Sequence, residues 1–467
     1  MGKTKTAATP DAHAPERRLF YGCFALLGAT MAISHFVALP VLLQMIVYTV
    51  SIVYIGSHAS LKQNEVDEVT GERSNKGEAM NHTDAMLFPV FGSLALCSLY
   101  IAYKFLDASW VNFLLTLYLT AIGLVALGET LHVALVPLFP DWANDPSRIS
   151  FKFCLPHIPF ICPRPELSTP SAKEAFEASC TYRLSYSQLG AYILAAGLSA
   201  LWLWKKHWAI HNLLGVAFCI QASRREKKKR RSRGRTEKGR GAGSIEDLKR
   251  ASGVYLELRF FSRSWSVSGR TSPARAISLV SVGNFTVATI LLSGLFIYDI
   301  FWVFGTDVMV TVAKSFEGPA KLIFPVNLDP WQHSILGLGD IVIPGVFISM
   351  CLRFDYWLAT ASLANASEKK TAVETSIDIH QKFSKFYFFV VLVFYEFGLL
   401  TTGVIMLVFQ HPQPALLYIV PFCLFSLFGA AALNGQVKEV LAYREDEEEK
   451  PAEVEGEAEP TEEKKSK

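Results

Sequence analysis

The sequence predicts an all-α polytopic membrane protein with nine transmembrane helices, on three observations. Hydrophobic residues make up 51 % of the chain and Phe alone numbers 33, far from the composition of a charged soluble domain. The apolar residues fall into runs close to the about 20 helical residues that cross a bilayer core. Lys and Arg are shared unevenly between alternate loops, as the positive-inside rule requires.

In chain order, residues 1–18 are polar and read as a disordered tail. From Leu19 to Gly56 the chain is apolar for 38 residues, too long for one helix, and Pro40 divides it. Val41–Gly56 is the core of the first expected span. Leu19–Phe36, preceded by Arg17 and Arg18, reads as a signal-peptide-like segment, an extra span or an interfacial helix. The sequence leaves these three open. A polar loop follows at 58–85, and further spans are expected at 86–106, 109–129, 188–205, 207–221, 283–304, 334–352, 384–409 and 414–433. Trp202, Trp204 and Trp208 with Lys205 and Lys206 form an interface anchor between two spans.

With nine spans and a non-cytosolic amino terminus, the loops at 58–85, 130–187 and 353–383 face the cytosol and hold 3, 5 and 4 basic residues. The opposite connections near 107, 206 and 305–333 hold 1, 2 and 2. The excess lies on the cytosolic side, so the positive-inside rule supports this orientation. Asn81, Asn284 and Asn365 head glycosylation sequons. Two of them then face the cytosol and one lies at a membrane boundary, so no glycan is expected.

The chain divides into the tail at 1–18, a first helical region at 19–221, a basic block at 222–275, a second helical region at 276–436 and an acidic tail at 437–467. The block holds 17 Lys and Arg against 5 Asp and Glu, a surplus of +12 that leaves −9 on the rest of a chain of formal charge +3. It reads as a cytosolic loop for anionic lipid headgroups, as a solvated disordered insertion, or as a translated intron. Nucleic-acid binding is disfavoured in a membrane protein. Of eight cysteines, Cys23, Cys97, Cys219, Cys351 and Cys423 lie in apolar runs, and Cys154, Cys162 and Cys180 share one loop. None has ligand spacing, so no disulfide framework, metal or cofactor is expected.

Two acids stand out. Asp299 lies deep in the apolar run Thr286–Phe304, and Asp340 lies inside the next apolar segment. An ionisable group in hydrocarbon costs roughly 2.5–3.5 kcal/mol on insertion scales, so it faces the bundle interior and usually has a function. On neighbouring helices the two carboxyls can share one site and one proton. The ionised member then takes a proton from water while the protonated member polarises a peptide carbonyl, which is hydrolysis without a covalent intermediate. Gly337 and Gly339 admit a neighbouring backbone, and irregular backbone near Pro344 must face protein or a wet cavity. Glu396 is also deep in an apolar run, but no motif surrounds it, and a hydrogen bond to a neighbour is expected. Glu129 sits near a span end, where a wet interface satisfies it. His35 and His132 are isolated and read as packing residues.

Tyr298-Asp299, Gly337-Leu-Gly-Asp340 and Gln413-Pro-Ala-Leu416 resemble the YD, GxGD and PAL motifs of the presenilin-type intramembrane aspartyl proteases. Phe296–Glu317 and Gly339–Gly345 are most similar to the signal peptide peptidase branch. The similarity runs from about Val41 to Gln436, apart from the basic block. It implies a presenilin-like fold in which Asp299 and Asp340 are catalytic. It also implies that Tyr298, Gly337 and Gly339 shape the active site and that Pro414, Ala415 and Leu416 position substrate. The implied substrates are transmembrane peptides, chiefly signal-peptide remnants, cleaved within the endoplasmic reticulum membrane. Lys464-Lys465-Ser466-Lys467 resembles a dilysine retrieval signal on a cytosolic carboxyl terminus, and a homo-oligomer is a candidate assembly. Two other classes stay open: a proton-coupled transporter, whose inverted repeats are not visible here, and an inactive homologue that binds membrane helices.

Overall fold

The computed structural model describes residues 14–61, 82–144, 149–152, 181–223, 282–327, 329, 331–367, 383–409 and 413–445. Residues 1–13, 224–275 of the basic block and the residues from 446 onward lie outside the described residues, as do Cys154, Cys162, Cys180 and Asn81. The expected disordered tail at 1–18 is corrected at its end, where residues 14–18 open the first helix.

The described chain is overwhelmingly helical. Its first helices are α1 (Ala14–Phe36), α2 (Val41–Leu61), α3 (His82–Phe105) and α4 (Ala108–Leu135). A short strand pair, β1 (Ile149–Lys152) with β2 (Thr181–Leu184), precedes α5 (Tyr186–Lys205) and α6 (Trp208–Ser223). Beyond the basic block come α7 (Phe285–Phe304) and the short α8 (Val308–Ser315), then the antiparallel hairpin β3 (Lys321–Asn327) and β4 (Gln332–Gly337). The chain ends with α9 (Gly339–Ser367), α10 (Phe386–Phe409), α11 (Leu416–Leu433) and α12 (Val437–Ala442).

Among the described residues nine helices are long and apolar enough to cross a membrane. Their membership differs from the expected nine in one exchange. Arg18–Phe36 qualifies as a span, while the apolar part of α6, Trp208–Gln221, is shorter. Helix α1 packs on α2, burying Phe20 and Leu27. Pro40 separates the two helices because it cannot donate in a continuous helix. The expected span at 334–352 also needs correction, since its first residues are strand and the helix starts at Gly339. In β3 burial alternates, with Leu322 and Phe324 fully buried between half-buried Lys321 and Ile323, the period of two that marks a half-buried strand.

Helices α2, α7, α9, α10 and α11 share one core that includes Tyr48, Phe285, Phe347, Tyr387 and Ile419. A second cluster around Leu127, Trp202 and Leu214 joins α4, α5 and α6. The expectation of a disordered acidic tail from 437 is corrected for its first nine residues. Val440 and Tyr443 are buried, Asn284 pairs with Arg444, and the Glu445 amide donates to Gly283 O at 2.9 Å. Arg353 of α9 donates from Nε to Glu445 Oε1 at 2.7 Å, both side chains being buried. The end of the described chain therefore ties the start of α7 to α9.

Candidate active site

Helix α7 carries Asp299 toward the interior because its other faces are apolar. Asp299 is 5 % exposed, flanked on the same helix by buried Leu295 and Trp302. Asn284 caps the helix, its side chain accepting from the Val287 amide at 2.7 Å, so the start of α7 is fixed. Asp340 is the second residue of α9 and half-buried. The hairpin delivers the chain to this point, and Leu338 donates to Ala320 O at 3.3 Å to continue the ladder up to the helix. The two carboxyls lie within direct electrostatic reach of each other.

The Gln413–Leu416 segment completes the site. Pro414, Ala415 and Leu416 are buried, and the Leu416 amide donates to Asp299 Oδ2 at 2.9 Å. The physical reason is helical. Leu416 opens α11, its amide is one of the donors that the helix cannot satisfy itself, and a carboxylate suits the positive end of a helix. Gly337 faces Asp340, since a Cβ on it would lie 3.3 Å from Asp340 Oδ2, whereas a Cβ on Gly339 would meet nothing within 4 Å. Gly339 therefore leaves open space beside the second aspartate. Tyr298 lies on the α3 side, its ring 3.5 Å from where a Cβ on Gly92 would stand and 6.3 Å from the Trp302 ring. The sequence-marked residues thus split: Asp299, Asp340, Gly337 and Leu416 converge, while Tyr298, next to Asp299 on α7, turns its ring toward Gly92 of α3.

Two further residues carry no motif, one at the site and one well away from it. The hydroxyl of fully buried Tyr395, on α10, donates to Asp340 O at 3.2 Å. Its signal in the sequence is a phenol within an apolar run, since a buried hydroxyl needs a partner. Asp355, farther along α9, is buried and accepts from the amides of Tyr387 and Phe388 at 3.1 and 2.8 Å. It caps α10 and is spoken for structurally.

The other acids and histidines find local partners. Glu396 accepts from Thr49 of α2 at 2.9 and 3.1 Å. Glu129 accepts from Tyr192 at 2.6 Å and Gln188 at 3.2 Å, protein donors where water was expected. His132 Nε2 lies 3.3 Å from Ser187 Oγ. His35 packs against His207 and Trp208 with ring centroids 5.5 and 6.5 Å apart.

Comparison with known proteins follows the same residues. The family model described as signal peptide peptidase matches residues 72–225 and 271–447, and the unmatched interval falls inside the basic block. The mouse protein named signal peptide peptidase is 33 % identical over 395 residues, covering 83 % of this chain and 80 % of the mouse protein. Its human counterpart is 32 % identical over 386 residues, covering 82 % and 78 %. A probable intramembrane protease of Schizosaccharomyces pombe is 23 % identical over 396 residues, covering 85 % of this chain and 92 % of its own.

Proposed function

The chain belongs to the signal peptide peptidase family and is a multi-pass intramembrane aspartic protease, and from that premise we propose that Asp299 and Asp340 are its catalytic pair. The observation that carries this assignment is the convergence of three separated segments. Asp299 and Asp340 lie within electrostatic reach of each other, and the Leu416 amide holds one oxygen of Asp299. A pair of carboxyls so placed titrates as a unit and holds one proton between them. The ionised member accepts a proton from water, and the protonated member donates to the scissile carbonyl oxygen as the tetrahedral diol forms. The carboxyl that took the proton from water then gives it to the amide nitrogen while the other carboxylate takes a proton back from the diol, and the C–N bond breaks to release the two peptides. No bond to the enzyme forms at any stage.

The substrates are helices of the membrane, chiefly signal-peptide remnants and type II-oriented segments with a cytosolic amino terminus. Support comes from the orientation given by the basic loops and from the names of the mouse and human relatives. A substrate helix must unwind for its carbonyl to reach water, and Gly337, Gly339 and the segment Pro414–Leu416 surround the space where unwound backbone would lie. Tyr298 screens the pair on the α3 side. The endoplasmic reticulum is the site of action, with a cytosolic carboxyl terminus ending in the dilysine-like Lys464-Lys465-Ser466-Lys467, and the +12 surplus of the basic block at 222–275 suits anionic lipid headgroups as a partner.

The test is cleavage of a signal-peptide-like helix by purified full-length protein in detergent, with the fragments mapped by mass. A cut within the apolar stretch is expected. Intact substrate, or a cut only in its polar flanks, would remove the proposal.

A further inference from the structure

The hairpin that leads into Asp340 is held on its outer edge by side chains. In the β3–β4 register Lys321, Ile323 and Pro325 oppose Gly337, Ile335 and His333. The bond from Leu338 to Ala320 O sets the alternation, so these three β3 residues turn their backbone groups away from β4. Each of these three residues meets a polar side chain from a helix. His211 of α6 donates from Nε2 to Lys321 O at 2.9 Å, the carbonyl being able only to accept. Asn212 donates to Ile323 O at 2.7 Å and accepts from the Ile323 amide at 2.8 Å. Gln44 of α2 donates to Pro325 O at 3.0 Å, at a residue that has no amide to satisfy. His211, Asn212 and Gln44 are 4, 0 and 1 % exposed. Together they stand in for a third strand.

A buried amide side chain that both donates to and accepts from one residue accepts a single register. A slip of two residues along β3 would move the hairpin by about 6.8 Å and would put Pro325, which has no amide, opposite Asn212. We propose that Asn212, supported by His211 and Gln44, is a specificity-determining clamp that sets which bond of a membrane helix is cut. The inference rests on the reading of Asp299 and Asp340 as the catalytic pair. The hairpin ends at Gly337, three residues before Asp340, so the position of β4 along its own axis fixes where substrate seated beside Gly337 and Gly339 lies relative to that aspartate. Loosening the clamp therefore changes the place of the cut more than the number of cuts.

The experiment compares wild-type protein, Asn212→Ala and Asp340→Asn on one signal-peptide-like helix in detergent, with product masses and kcat measured together. Loss of one buried hydrogen-bonded pair predicts a roughly tenfold change in the ratio of products cut at neighbouring bonds, with kcat changed less. An unchanged product ratio in folded Asn212→Ala, with only yield or thermal stability reduced, would reduce the clamp to packing and overturn the proposal. Where Asn212→Ala is not recovered folded, Asn212→Asp (same shape, no donor) and Gln44→Met (its bond to Pro325 O lost, with those to Leu39 O and Ser34) carry the same comparison and the same criterion. Cleavage by Asp340→Asn, or none by wild type, would instead count against the catalytic pair on which the proposal stands.

Discussion

Replacing Gly398 by Ala tests how closely the packing of α10 on α11 controls the site. A Cβ at Gly398 would lie 2.9 Å from Ile419 Cα and 3.3 Å from Tyr418 O. Both are backbone atoms, so no rotamer change relieves the contact. Ordinary contact begins at 3.4 Å, and the two helices must therefore part by about 0.5 Å here (3.4 less 2.9). Ile419 is one turn from Leu416, whose amide holds Asp299 at 2.9 Å, so the first turn of α11 moves with it. A misplacement of 1 Å in a reacting array costs about 100-fold, and half of that distance scales to about tenfold in kcat. Helix propensity alone points the other way, since Ala is better than Gly by about 1 kcal/mol in a helix. Gly429→Ala on α11, where a Cβ meets nothing within 4 Å, is the matched control. The assay is kcat at saturating membrane-helix substrate, beside thermal unfolding in detergent. Full activity and wild-type stability in Gly398→Ala would refute the reasoning.

Other outcomes follow from the same contacts. Glu445→Gln strips the anion from buried Arg353 and should cost about 3–5 kcal/mol in unfolding measurements, whereas the double change Arg353→Met with Glu445→Leu should restore most of it. A single-variant loss below about 1 kcal/mol would show that the pair is not desolvated. Glu396→Gln keeps an acceptor for Thr49 and should leave kcat within about threefold, since one neutral hydrogen bond is worth about 1 kcal/mol. A hundredfold fall would bring Glu396 into the chemistry. Asn284 spends its side chain on the Val287 amide, so Asn284→Ala should destabilise by about 1 kcal/mol, and glycosidase treatment should not change the mass at this residue.

The two aspartates were legible because each sits in an apolar run where a charge is costly, and because the flanking motifs are local in sequence. The hairpin was not, because Gln332–Gly337 adjoins an apolar helix and its few apolar residues read as more of the same span. Its partner β3 lies in a segment read as loop. The clamp on β3 left a fainter trace. Gln44, His211 and Asn212 are polar residues within apolar helices, but only the fold shows that all three reach one strand. Arg353 carried a clearer signal that went unused: a guanidinium in the run Met350–Phe354 requires an acid, and Glu445 supplies it from within a Glu-rich tail that composition alone reads as disordered. Helix α1 reaches the length of a span and the apolar part of α6 falls short of it, because hydropathy judges each run by itself and that part ends at Gln221, before the basic block.

The central claim is that Asp299 and Asp340 act together, and the most direct measurement is turnover by Asp299→Asn and Asp340→Asn, each purified in parallel with wild type. Both variants keep the shape of the site, so both should elute and unfold as wild type does while cleavage falls by about 10³-fold or more, the scale of a lost proton-transfer group. Turnover above a tenth of wild type in either folded variant would contradict the account.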